Sequence, residues 1–322
     1  MRAWAVAWAL TLAVPDAGLT DRRHRIDPSR LRIVLTVDGH GSGLGSVAIS
    51  ADGRLLATGG DDGAIKVWSV RPLRLLTELR SHTGKIVSLS FTPDGRRLAS
   101  GSTDRLVKVW DLPTGLEVES LQAFGITHIP VRFSPDGKKL AYRQQQNLVA
   151  VWDVETRQDA GQFPGHRGDI LCIAWSPDGK RVTTTSNRGE IRVWKSGDPD
   201  PVAEAVPGNL LMSVAWSPDA RTILTADTGG NLKVWNADTL ECLRTLTNHL
   251  APLEWAEFGP CGRYAVSVDT TGKLLAWDPA AWKESFSTGA HLAEINQVTV
   301  SPNGRYVVTA SSDGTAKLWS DR

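Results

Sequence analysis

Residues 82–111 read HTGKIVSLSFTPDGRRLASGSTDRLVKVWD, and this stretch decides the fold. Two apolar segments, residues 86–91 and 97–101, flank Pro93-Asp94-Gly95. Proline fixes φ at the first corner of a turn and glycine supplies the positive φ that follows, so the stretch predicts a β-hairpin. A second turn around Thr103, Asp104 and Arg105 leads into residues 107–110, whose β-branched and aromatic side chains suit a third strand.

The unit recurs in phase with tryptophan. Trp68, Trp110, Trp152, Trp194, Trp235, Trp277 and Trp319 are separated by 42, 42, 42, 41, 42 and 42 residues. The turn proline keeps step, with Pro93, Pro135, Pro177, Pro218, Pro260 and Pro302 each 17 residues before their tryptophan and Ala51 at that place in the first copy. Within each copy the first strand is apolar at alternate positions, as at Leu89 and Phe91 or Val214 and Trp216, the period-two pattern of a half-buried strand. Apart from a weak signal at the N-terminus, no helical period competes with it.

Repeats of 40 to 45 residues with Gly-His upstream and Trp-Asp downstream mark WD40 repeats. Gly165-His166 carries the first signature, and Trp110-Asp111, Trp152-Asp153 and Trp277-Asp278 carry the second. The chain resembles this family over residues 30–322, which implies an all-β, seven-bladed WD40 β-propeller preceded by a leader at residues 1–29. Residues 31–37 have the profile of a fourth strand but precede the first copy, and nothing after Trp319 could supply one. They are expected to finish the C-terminal blade, so that the two chain ends close the ring instead of leaving open edges.

The leader has Arg2, an uncharged run over residues 3–14, then Pro15-Asp16-Ala17. Twelve residues are too short to span a bilayer, so no transmembrane segment is expected. A secretory signal is one reading, opposed by bulky Trp4 and Trp8; the other is an apolar leader that folds onto the body or comes from a poorly chosen start. A cytoplasmic location is favoured, with secretion the outcome if residues 1–17 are a signal. Thirty-six basic against 35 acidic residues leave a net charge of +1, which gives a polyanion no field to follow and argues against nucleic acid. Cys172, Cys242 and Cys261 are odd in number and lack metal spacing, so neither a disulfide framework nor a zinc site is expected.

His40, His82, His166, His249 and His291 each lie 28 residues before a tryptophan, which makes them repeat positions rather than a cluster. The family resemblance implies a buried chain of His, Ser or Thr, Asp and Trp within a blade. It is complete in the sequence for His40, Thr58, Asp62 and Trp68; for His82, Ser100, Asp104 and Trp110; and for His291, Thr309, Asp313 and Trp319. Copies three to six depart from it, with Phe124, Tyr142 and Gln146 in the third, Arg188 in the fourth, Pro207 and Gly229 in the fifth and Thr271 in the sixth. That arc is expected to depend on apolar packing and to be the more mobile one.

The resemblance also implies which positions line the narrower face: the third and fifth after the histidine, and the one before the aspartate. Ile129, Leu171, Leu210 and Met212 form an expected apolar patch there, with Asp169, Glu254, Glu294 and Lys85 around it. The expected function is a monomeric, non-enzymatic protein–protein interaction scaffold that takes a protein or peptide with apolar anchors and some basic flanks, without a cofactor. The alternative is small-molecule binding or catalysis in the central channel. No Gly-rich phosphate loop, metal spacing or carboxylate pair outside the repeat supports it.

Overall fold

The computed structural model describes residues 26–125 and 127–321. Seven four-stranded antiparallel sheets stand radially, and the first strands of successive blades pack side by side in a closed cycle, the seventh returning to the first. The second blade is typical, with strands Ile86–Phe91, Arg97–Ser102, Leu106–Asp111 and Leu116–Gln122 from the axis outward. Each innermost strand runs from the loop at the histidine position to the turn at the proline position. The disc therefore has a histidine end and a proline end.

The proline turns hold themselves by one side-chain device. In the second blade Thr92 Oγ1 donates to Asp94 Oδ1 at 2.6 Å, and the same carboxylate oxygen accepts the Arg96 amide at 3.0 Å. Gly95 follows at φ 68°, a left-handed conformation that glycine adopts without strain. The pattern repeats at Ser134 and Asp136, Ser176 and Asp178, and Ser217 and Asp219.

Seven apolar clusters fill the spaces between adjacent sheets. One joins Ala57, Ile65 and Val67 of the first blade to Ile86, Leu89, Leu98 and Trp110 of the second. The sheet at the C-terminus contains Ile295–Val300, Val307–Ser311 and Thr315–Ser320, and its outermost strand is Arg32–Asp38. The expected closing strand thus pairs where the sequence places it, one residue later than residues 31–37. Its register sets Ile33 opposite Trp319 and Val37 opposite Ala316, with a bulge between Ile33 and Leu35. Val37 is buried against Leu44 of the first blade and Leu318 of the seventh. Before this strand a short turn, Pro28–Arg30, lets Ile26 and Leu31 pack between the sixth and seventh blades. The leader run of residues 3–14 lies outside the described residues.

Deleting residues 30–37 removes all but the last residue of the outer strand, and with it the Val37 contact. The truncated chain is expected to lose its single cooperative thermal transition in circular dichroism; a melting temperature equal to the full chain's would refute that role for the strand.

Candidate functional site

The histidine end is built on the buried networks. His82 Nδ1 bonds Asp104 Oδ2 at 2.7 Å and its Nε2 bonds Ser100 Oγ at 2.8 Å, while the Trp110 indole N–H donates to the same hydroxyl at 2.9 Å. The first blade repeats this through His40, Asp62, Thr58 and Trp68, and the seventh through His291, Asp313, Thr309 and Trp319. With Nδ1–H donating to the carboxylate, the free Nε2 accepts the hydroxyl proton and every member is satisfied. The histidine and the hydroxyl are buried and the aspartate is at least partly exposed, all three at repeat positions, so the hydroxyl is not a nucleophile with open access to substrate.

Two further blades close the network with a carboxylate from a different position, which corrects the expectation that the third to sixth blades all lack it. In the fourth, Glu190 stands in for the missing aspartate: its Oε2 lies 3.2 Å from His166 Nδ1, and Thr184 links His166 to Trp194 at 2.6 and 2.9 Å. In the sixth, Asp269 bonds His249 at 2.6 Å while Ser267 links His249 to Trp277 at 2.7 and 2.8 Å. The geometry explains the second substitution. At the matching place in the first blade, a Cβ added to Gly60 would sit 2.3 Å from His40 Nδ1. Any carboxylate rooted there points straight at the ring.

The third and fifth blades use other solutions. Asp227, fully buried, accepts from Asn209 and Asn231 and pairs with Lys233 at 3.3 Å, while Trp235 still donates to Thr225. In the third blade Arg143 is buried, donates to the carbonyls of His128 and Ile170, pairs with Asp169 of the fourth blade at 3.1 Å and lies over Phe124. A charged bridge between blades replaces the histidine chain.

The same departure relocates a predicted partner residue. In six blades the innermost strand carries a β-bulge just after its first residue, at Gly45, Val87, Leu171, Met212, Glu254 and Asn296. A bulge re-aims its side chain. The third blade's strand begins only at Val131, because Pro130 has no N–H for the ladder. Ile129 therefore takes the inward place that Ile86 holds in the second blade: Ile86 Cγ2 lies against Gly59 of the preceding blade, and Ile129 lies against Gly101. With 0 % exposure it is core. Leu171 is buried as well, Met212 is half-buried and Leu210 is exposed.

The charged residues are also less free than the sequence suggests. Asp169 is taken by Arg143, and Lys85 pairs with Asp61 at 2.5 Å. Burial, then the charge of Glu294 and a hydrogen bond to it, push the Glu254 carboxyl up to about 7. Two residues that the face positions do not include stand out instead: Leu250 is 97 % exposed and Leu292 99 %. Each directly follows a network histidine, His249 or His291. Their signal in the sequence was an apolar residue in a loop otherwise occupied at that position by Thr83 and Arg167.

The family model for the WD domain, G-beta repeat, matches residues 31–69, 73–111, 157–195, 206–236 and 282–320, more than half of the chain. The protein belongs to the WD40 repeat family. Members of the family typically serve as protein-interaction scaffolds and are generally not enzymes. The comparison with curated proteins gives no match. The family model does not match the copies ending at Trp152 and Trp277, yet both form full four-stranded WD40 blades. Among the described residues no helix is long and apolar enough to cross a membrane, and no group of three or more His, Cys, Asp or Glu side chains could hold a metal ion.

Two outcomes follow for the networks. Glu190→Ala should destabilise the protein by about 1 to 3 kcal/mol, because it strands a buried histidine, whereas Arg188→Ala, exposed, should change stability by less than about 0.5 kcal/mol in denaturant unfolding. Burial also holds all five network histidines below their ordinary value, His166 down to about 4. In the unfolded chain they titrate near 6.5. Between those values the unfolded state binds more protons, so stability is lost as pH falls. Glu254 and Glu257, whose buried carboxyls are raised to about 7, act in the opposite sense, so with both replaced by Gln the melting temperature should drop progressively from pH 7 to about pH 5, and a flat profile there would show that the histidines are not buried neutral.

Proposed function

We propose that this WD40 propeller is a non-enzymatic scaffold that captures a protein or peptide partner on its histidine end, across the fifth to seventh blades. The observation that carries the reading is the pair Leu250 and Leu292, both almost wholly in solvent on adjacent blades. Neither contributes burial to the fold, and covering both would stabilise a complex by about 3 to 6 kcal/mol. Leu210 and half-buried Met212 on the fifth blade extend the apolar area. Glu254 and Glu294 lie on the same two blades as the exposed leucines. A basic residue on the partner would favour the ionised form of Glu254 and add charge complementarity at the rim.

Leu250→Asp combined with Leu292→Asp should reduce partner capture in quantitative affinity purification by about tenfold or more. The melting temperature should stay close to the parent's, since both side chains are exposed. Undiminished capture of the same partner by the double variant would overturn the assignment of this face.

A further inference from the structure

At the proline end the axis holds a cavity of about 580 Å³ lined by all seven innermost strands. Ala51 and the six turn prolines stand at its rim. This is the opposite end of the disc from Leu250 and Leu292.

One repeat position, the penultimate residue of the innermost strand, faces the channel. Four blades place small residues there: Ala48, Ser90, Ala174 and Ala215. The other three place Arg132, Glu257 and Thr299. A charged residue in an otherwise apolar strand is costly unless it is paired. Arg132 uses Nη1 on Ser88 Oγ, Val131 O and Leu89 O, and its guanidinium reaches across to the Trp255 ring, 5.3 Å from the centroid. Its Nε and Nη2 have no protein acceptor among the described residues. Trp255 and Glu257 are two apart on one strand and so share a face. The guanidinium and the Glu257 carboxyl therefore stand on the same side of that strand, near enough for the Arg132 charge to act on the carboxyl. Burial pushes that carboxyl up to about 7, although the Arg132 charge, the Thr299 hydroxyl and the Val300 amide pull the other way. The wall also includes Trp216, whose buried indole N–H has no hydrogen-bond partner among the described residues.

We propose that this cavity binds a small zwitterion of the α-amino-acid class with an apolar or aromatic side chain. Its carboxylate lies on Nε and Nη2 of Arg132, its ammonium on Glu257, and its side chain against the wall around Trp255. The volume is within the range of small-molecule sites, which are mostly apolar with a few convergent polar groups. Ammonium binding requires Glu257 ionised, so affinity tightens as pH rises through about 7, the value to which its carboxyl is raised.

Isothermal titration calorimetry and tryptophan fluorescence with L-phenylalanine and L-leucine should give saturable binding to the full chain. Phenethylamine and 3-phenylpropionate, each carrying one of the two charges, should bind about tenfold or more weakly. Arg132→Gln and Glu257→Gln should each cost a similar factor, and Glu257→Gln should also abolish the pH dependence between pH 6 and 8. The ligand series and the pH profile of the parent protein need no variant, so they stand if a substitution impairs folding. Absence of saturable binding by either amino acid, equal binding of a singly charged analogue, or binding unchanged in both variants overturns the proposal. Leu250→Asp with Leu292→Asp should leave amino-acid binding intact, which separates this site from the partner face.

Discussion

A ring of sheets holds together only if no sheet is left with an unfinished edge, and the pairing of Arg32–Asp38 with Thr315–Ser320 meets that condition. A single blade cannot cover its own two faces, so each depends on its neighbours for burial. The seven clusters between sheets share this debt around the circle. If the last sheet lacked its outer strand, the clusters beside Val37 and Trp319 would open to water, and the constraint on the other blades would relax with them.

Within that frame the His–hydroxyl–Trp chain tolerates considerable rewriting. What the blade needs is a carboxylate within reach of the histidine Nδ1, and Asp104, Asp269 and Glu190 reach it from three different backbone positions. The third blade abandons the chain and satisfies its buried polar groups through Arg143, which ties it to Asp169 of the next blade. The constraint is satisfaction of buried polar atoms, not retention of a particular residue.

The two ends of the disc differ in how they depart from the repeat. At the histidine end the departures are exposed apolar side chains on loops, Leu250 and Leu292, suited to a macromolecular surface. At the proline end they are inward, at Arg132, Trp255 and Glu257, where only something small enough to enter a cavity could meet them. The rigid repeat thus leaves its variable positions in two separate places.

The tryptophan and proline spacing by itself determined the number of blades and the three-strand unit, because these are local periodicities that each copy repeats, and the apolar run at residues 31–37 ahead of the first copy pointed to the origin of the last blade's fourth strand. Tertiary structure decided what a side chain faces when the local frame shifts. Pro130 shortens one strand, which turns Ile129 inward although its count from the histidine position matches that of Leu171 and Met212. Asp269 and Glu190 could not be recognised as network members by offset, since their reach depends on the path of the turn. The Arg132, Trp255 and Glu257 arrangement joins residues more than a hundred positions apart, and only closing the ring brings them to one cavity. Sequence spacing encodes register along a strand; which surfaces meet is set by packing around the axis.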